Sequence, residues 1–337
     1  MPRPRLTRSA PMSPPVRYFT SADSRFFVGA AAMLNSLAAS GNRGDAFVVD
    51  VGLRPDQRAR LARTAEVLTL PPALGGLHPL FAKLTADLFW SDGIVVLLDS
   101  DMVVTAPLDR LVEQAAAGKI AVHPDHEITR GRQFPEMVTT FELKAPLRPQ
   151  RTVNTSPLAL SLEHWPNFLE RWREACERLP PDWPERGFGP LGLADQDALN
   201  AILMSEVPPE AIWIGPETST VHADELAAVQ ILDEGTLTCL HRGETPVVLH
   251  YGLSPKAWHE AGWRRVRAAD AYIRLLRRLL FAPDVGIRAR RGEVPIWLRP
   301  GIVGRLAAFL LGLLNYVRVD LRSRASLLRR RLRTGNR

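Results

Sequence analysis

Short apolar runs alternate along this chain with longer stretches whose apolar residues recur every three or four positions. Residues 16–20 predict a strand, the polar stretch Ser21-Ala22-Asp23-Ser24 a loop, and residues 26–37 a helix. A second apolar run at 46–49 gives way to Asp50, Gly52 and Pro55, after which 55–67 reads as a helix with arginine and glutamine on its outer face. Residues 79–90 carry helical period. Residues 94–98 are five consecutive apolar residues rich in β-branched types, the pattern of a strand covered on both faces. Further strands are expected at 120–122, 158–160, 212–214 and 247–249, with helices at 163–179 and 195–204. Strands alternating with helices argue for an α/β chain on a mostly parallel central sheet flanked by helices.

After Trp263 the pattern changes to arginine-rich helix, interrupted near Pro283, Pro295 and Pro300. The expected organisation is a flexible leader over 1–16, a main domain over 17–263 and a basic helical C-terminal region over 264–337. The leader carries Arg3, Arg5 and Arg8 with several prolines but no apolar core, so it does not read as a signal peptide.

Composition refines this division. A length of 337 residues with 46% hydrophobic content is enough for a sizeable core. Two cysteines, Cys176 and Cys239, cannot form a disulfide framework and argue against sulfur-ligated metal, which fits a reducing cytoplasm. The net charge of +7 is a property of the tail: residues 264–337 hold 19 arginines, no lysine and four acids, giving +15 against −8 for the rest. A basic end on an acidic body suggests an anionic surface as its partner. Residues 306–314 are uncharged but too few to span a bilayer, and Val317, Leu321, Ala325, Leu328 and Leu332 make a stripe flanked by arginines. That is the composition of a helix lying among lipid headgroups, so peripheral association with the inner face of a membrane is expected. The tail's few aromatics form no recognisable nucleic-acid motif, and no nucleic acid partner is expected.

The chemistry concentrates at two places. Asp99-Ser100-Asp101 directly follows the apolar run 94–98, which puts two carboxylates at the carboxyl edge of a sheet, where open α/β folds bind ligands. Hard oxygen ligands of this kind hold Mg²⁺ or Mn²⁺, and such an ion neutralises a diphosphate leaving group. The second place is His250-Tyr251-Gly252-Leu253-Ser254-Pro255-Lys256-Ala257-Trp258, again after an apolar run. Here an imidazole can ligate Mn²⁺, a glycine admits a phosphate, and a lysine offers it a point charge.

The segment from Val95 to Val104 resembles the DxD segment of family 8 glycosyltransferases, and His250 to Trp258 resembles that family's closing H-x-x-G-x-x-K-P-W segment. Three further stretches fall in the family's order: Thr20 to Phe26, Val153 to Leu162 with Trp165, and Asp195-Gln196-Asp197 with Leu199 and Asn200. The resemblance covers 17–263. It implies the GT-A fold, a Rossmann-like mostly parallel sheet flanked by helices, and retaining transfer of a sugar from a nucleotide-diphosphate sugar, a UDP-sugar by analogy. The acceptor would be a glycan, a lipid-linked sugar or a lipopolysaccharide.

By the same resemblance, Asp99, Asp101 and His250 are metal ligands for Mn²⁺ or Mg²⁺, with Ser100 between the carboxylates. Thr20, Ser21 and Asp23 belong to the nucleotide loop and Phe26 takes the place of an aromatic stacked on uracil. Asn154 contacts the donor sugar, Lys83 reaches the donor, Asp125 lies near the sugar hydroxyls, and Gly252 and Lys256 meet the diphosphate. Gln196 and Asp195 lie beside the anomeric carbon. Four departures stand out: Ser156 replaces a glycine, Pro157 follows it, Ala257 replaces a proline, and Gly252 comes one position early.

Two other readings of the same residues stay open at this level. Asp99-Ser100-Asp101-Met102-Val103 also satisfies the D-x-D-x-[TV] pattern of haloacid-dehalogenase-type phosphatases, in which Asp99 would be the nucleophile. A nucleotide-sugar-binding protein without activity at a membrane surface is the other. Acceptor recognition is expected from the variable segments 129–150 and 180–193.

Overall fold

The structure is a computed structural model and describes residues 14–125, 131–265 and 271–317. The leader up to residue 13, the first two residues of the segment 129–150, and the arginine stripe from Arg318 onward lie outside the described residues.

The first half alternates strand and helix: β1 (Val16–Ala22), α1 (Phe27–Ala39), β2 (Asp45–Asp50), α2 (Pro55–Leu61), β3 (Glu66–Thr69), then a 3-10 helix (Pro79–Leu88) leading to β4 (Ile94–Leu97) and β5 (Met102–Val104). There follow α3 (Asp109–Ala116), β6 (Ile120–Pro124), α4 (Pro135–Thr140), β7 (Val153–Ser161), α5 (Phe168–Glu177), α6 (Asp195–Ser205) and β8 (Ile212–Ile214). The chain continues through β9 (Thr220–His222), β10 (Gln230–Asp233), β11 (Thr238–Leu240), β12 (Val248–His250) and α7 (Ala271–Phe281), and the last described residues, 302–317, are helical.

Seven strands form one sheet in the order β3-β2-β1-β4-β7-β6-β8. Every neighbouring pair is parallel except those made by β7, which runs against both β4 and β6. A small sheet, β5-β12-β9, and the hairpin β10-β11 complete the strands. β4 is buried at every position, as its uninterrupted apolar run requires of a strand covered by helices on both faces. One core lies on the α1 side of the sheet, around Phe27, Met33 and Val96, and the other on the α5–α6 side, around Trp172, Phe141 and Leu97. The α/β sheet architecture expected from the pattern is present.

Three expectations are corrected. The helix expected over 55–67 stops at Leu61, and Glu66–Thr69 is instead β3, an edge strand paired to β2. Its apolar residues are only half-buried there, so the run lacks a clean alternation. The helix expected over 79–90 is a 3-10 helix with a kink at Leu84. The strand expected over 158–160 begins at Val153 and continues to Ser161, entirely buried. Pro157 sits in the stretch between Val153 and Leu158 where the pairing of β7 with β6 shifts register, a place where a missing N–H breaks no ladder bond.

Helix α7 lies beyond Trp263 yet shares the α1-side core: Tyr272, Leu275, Leu276 and Leu279 are buried with α1 residues. Asn35 of α1 fastens it, donating to the carbonyls of Leu279 and Ile287 at 2.7 Å each.

Candidate functional site

The carboxyl ends of β4, β6 and β12 meet the amino ends of β7 and α6, and nearly every residue singled out from the sequence comes to this one place. Asp99 and Asp101 leave β4 on a turn that buried neighbours fix. The Asp99 N–H donates to Ser156 Oγ at 2.8 Å, and that hydroxyl donates to the Leu97 carbonyl at 3.1 Å. The Asp101 carbonyl accepts from the Tyr251 N–H at 3.1 Å and from the Tyr272 hydroxyl at 2.7 Å. Across the turn lies α1, where Gly29 is required: a Cβ there would come within 2.3 Å of the Ser100 carbonyl and 2.4 Å of the Trp258 ring.

His250, the last residue of β12, brings Nε2 to 3.3 Å from Asp101 Oδ1 and 3.8 Å from Asp99 Oδ2. One ligand atom from each of the three lies within 4.8 Å of the others. The remaining oxygen of each carboxylate is taken by a lysine, Lys83 on Asp99 Oδ1 and Lys256 on Asp101 Oδ2. The lysines thereby turn the inner oxygens toward His250. Two hard oxygens and an imidazole nitrogen facing a common point fit Mn²⁺ or Mg²⁺.

The electrostatics follow from this packing. Burial alone would push the Asp101 carboxyl up, but Lys256 and His250 hold it well below the usual carboxylate range. Burial would likewise lower His250, and the Asp101 charge, helped by Asp99, raises it instead. Lys83 is raised too, because Asp195 and Asp99 outweigh its desolvation. Asp195, whose Oδ2 is 3.0 Å from Lys83, is pushed up by burial: one lysine shared by two carboxylates compensates it only in part.

The donor-sugar candidates join the same network. Asn154 Nδ2 lies 3.3 Å from His250 Nδ1 and 3.4 Å from Asp125 Oδ1, and Gln196 Nε2 donates to the other oxygen of Asp125. Asn200 exchanges two hydrogen bonds with the backbone of Val153, at 2.8 and 2.9 Å, tying α6 to β7 beneath them. At the end expected from the sequence to meet the nucleotide, Phe26 stands edge-on to Trp258 at 6.0 Å, with Lys256 Nζ 5.9 Å from its ring centroid. Thr20 Oγ1 is buried with no hydrogen-bond partner among the described residues, Ser21 Oγ lies 3.4 Å from the Pro79 carbonyl, and Ser100 is buried within the turn. Asp23 uses one oxygen, Oδ1, to accept the N–H groups of Arg25 and Phe26 at 2.8 Å, so it shapes the start of α1 as well as facing the loop. Gly252 is exposed, and a Cβ there would meet the His250 ring only at 3.7 Å, an ordinary contact.

Several residues that build the site carry no sequence signal. Tyr272 belongs to no motif, and Thr155, which accepts from Lys83 at 3.0 Å, lies in the 153–162 stretch but has no role assigned there by the sequence. Arg132 pairs with Asp197 at 2.7 Å and donates to the carbonyls of Phe188 and Gly189, linking the two segments expected to read the acceptor. Gly29 was discoverable, because a glycine inside the small-residue run Gly29-Ala30-Ala31-Ala32 of a helix marks a close approach.

No protein-family profile and no curated protein matches this chain. Solved structures do. The galactosyltransferase LgtC, in complex with donor and acceptor sugar analogues, matches with a TM-score of 0.52 at 16% identity over 80% of this chain and 98% of that one. A variant of LgtC mutated at an active-site glutamine matches with a TM-score of 0.53 at 16% identity and the same coverage. The bifunctional glycosyltransferase WbbM, in its apo form, matches with a TM-score of 0.51 at 14% identity over 80% of this chain and 50% of that one. The chain has the GT-A fold. In GT-A terms, the seven-stranded sheet is the platform, and the Asp99–Asp101 turn stands at its carboxyl edge.

Proposed function

We propose that this protein is a family 8-type retaining glycosyltransferase that moves a sugar from a nucleotide-diphosphate sugar, of UDP type, to a glycan, lipid-linked or lipopolysaccharide-type acceptor. The observation that carries this reading is the convergence of Asp99 Oδ2 and Asp101 Oδ1 with His250 Nε2, about 150 residues further along the chain, on one point at the carboxyl edge of a GT-A sheet. The LgtC structure with donor and acceptor sugar analogues, on the same fold, supports the substrate class. Residues 17–263 carry the catalytic machinery, and 264–337 associate with the cytoplasmic face of a membrane.

Asp99, Asp101 and His250 would hold a divalent cation, Mn²⁺ by the mixed oxygen and nitrogen donor set, which would supply positive charge against the diphosphate leaving group. Lys256, at 13% side-chain exposure, adds a second positive charge on the same side. Phe26 offers its face to the base, and Thr20, Ser21 and Asp23 line the nucleotide loop. Lys83 holds Asp99 and Asp195 in place from beneath. Asn154, Asp125 and Gln196, already bonded to one another, orient the donor sugar. Gln196 and Asp195 steady the cationic character that develops at the anomeric carbon, while the acceptor hydroxyl attacks on the face the diphosphate leaves.

The experiment is a screen of nucleotide sugars for Mn²⁺-dependent protection against thermal unfolding, followed by transfer or slow hydrolysis of the labelled hit. Protection and turnover that both vanish with EDTA are expected. Protection by a nucleotide sugar with no turnover in Mn²⁺ would favour the non-catalytic binding protein instead.

A further inference from the structure

The helix over 302–317 wears its apolar residues on the wrong side. Nine large apolar side chains, from Ile302 to Val317, are 45–82% exposed, and they include Leu306, Phe309, Leu310 and Leu313. The face turned to the body is mostly small: Gly304, Ala308 and Gly312 are buried, Ala307 and Leu311 pack against the core, and Asn315 donates to the Trp263 carbonyl at 2.7 Å. At about 100° of rotation per residue the nine exposed side chains fall within an arc of about 160°. The helix's one charge, Arg305, lies just outside that arc.

An apolar arc this continuous requires a cover. The chain beyond it indicates which: residues 318–337 carry eight arginines against the single acid Asp320. A second copy seated on this face would bring two such cationic segments together, which repel; an anionic lipid surface would attract both the arginines and the arc. The described part of this helix, sixteen residues, reaches about 24 Å against a hydrocarbon core of about 30 Å, and the sequence after it turns charged at Arg318 and Asp320. Accordingly no helix among the described residues is long and apolar enough to cross a membrane.

We propose that helix 302–317 is a docking helix that lies in the plane of an anionic bilayer. Its outer face enters the acyl boundary, and the arginines that follow meet lipid phosphates. Its purpose rests on the reading of a membrane-side acceptor above, but its test does not.

The test is sedimentation of the full chain with vesicles of phosphatidylcholine alone or mixed with phosphatidylglycerol, for the natural sequence and for a Leu306→Ser, Leu310→Ser, Leu313→Ser variant. All three positions are at least half exposed, so the variant should fold. The natural chain should bind the mixed vesicles, less so at high salt, and the variant should lose roughly tenfold or more of that partitioning. Mn²⁺-dependent hydrolysis of the donor in lipid-free solution should be the same for both. Equal vesicle binding by the variant would overturn the proposal, as would indifference of the natural chain to phosphatidylglycerol. So would a lipid-free dimer that the variant dissolves, which would make a second copy the cover. Absent hydrolysis with intact vesicle binding would sink the transferase reading and leave the docking helix standing.

Discussion

The Asp101 corner and the helix over 302–317 break the usual rule of charge outside and apolar inside in opposite ways. At the corner, two acids, two lysines and a histidine are buried or nearly so, and each holds a partner of opposite charge. On the outer helix, leucines and a phenylalanine face outward with small residues behind them. Buried charge is tolerable only when paired, and exposed apolar surface only when something covers it. The corner contains its own compensation, so it is finished as it stands, apart from the point its three inner atoms face. The helix has none, so its cover must come from elsewhere. The same contrast separates two buried histidines. His250 sits among carboxylates and is raised, whereas His123, whose Nδ1 has Thr220 Oγ1 at 3.1 Å, is lowered by burial to about 4.

The largest effect is expected at the corner. Asp101→Asn should cut sugar transfer on the order of 10³-fold, since Lys256 and the cation would lose the carboxylate that aligns them. Transfer rates of labelled sugar in saturating Mn²⁺ measure this, with circular dichroism confirming the fold, and a loss of only a few-fold would mean that the corner is structural.

His123 tests the opposite condition, a buried ionisable group without a charged partner. Because its pKa falls from 6.5 to about 4 on folding, the unfolded chain takes up the proton first as pH drops. The stability it permits is intact above pH 6.5, is lost between there and pH 4, and amounts to about 3 kcal/mol. His123→Gln should therefore lose less stability than the natural chain across that window in urea titrations, and parallel curves would contradict the assignment.

Smaller effects sharpen how the corner is supported. Gly29→Ala should cost about 2 kcal/mol by forcing the DxD turn and Trp258 off α1, and unfolding midpoints should show it. Tyr272→Phe keeps the ring stacked 5.1 Å from Tyr251 but removes the hydroxyl that donates to the Asp101 carbonyl, for about 1 kcal/mol by the same measurement. The smallest stability change belongs to the outer helix: the triple serine variant should stay within about 0.5 kcal/mol, because those side chains are at least half exposed and stand outside the core clusters of the described residues. A large loss there would show that the face is covered by the chain itself.

The corner was legible in the sequence because its chemistry is written locally. The run 94–98 followed by two acids specifies a buried strand opening onto carboxylates, and the His250–Lys256 spacing repeats that logic at a second strand end. Residues acting through the backbone were not legible. Ser156 looked like a departure, yet its hydroxyl bridges the Asp99 N–H and the Leu97 carbonyl, a role visible only once β7 lies beside β4. Tyr272 sits 171 residues from Asp101 in a helix whose pattern speaks only of amphipathy. β3 was hidden because Val67 and Leu68 continue the helical spacing of α2, and only the turn after Leu61 and the pairing with β2 decide between the two. The outward face of 302–317 was half-read: its apolarity was plain, but which side packs depends on where Gly304, Ala308 and Gly312 meet the body.

The proposed transfer chemistry depends on Asp99, Asp101 and His250 gripping one divalent cation. Paramagnetic resonance of Mn²⁺ titrated into the natural chain with UDP present, and into Asp101→Asn and His250→Ala, tests it most directly. One bound ion per chain, lost or sharply weakened in both variants, is the predicted result; a bound ion that either substitution leaves undisturbed would contradict it.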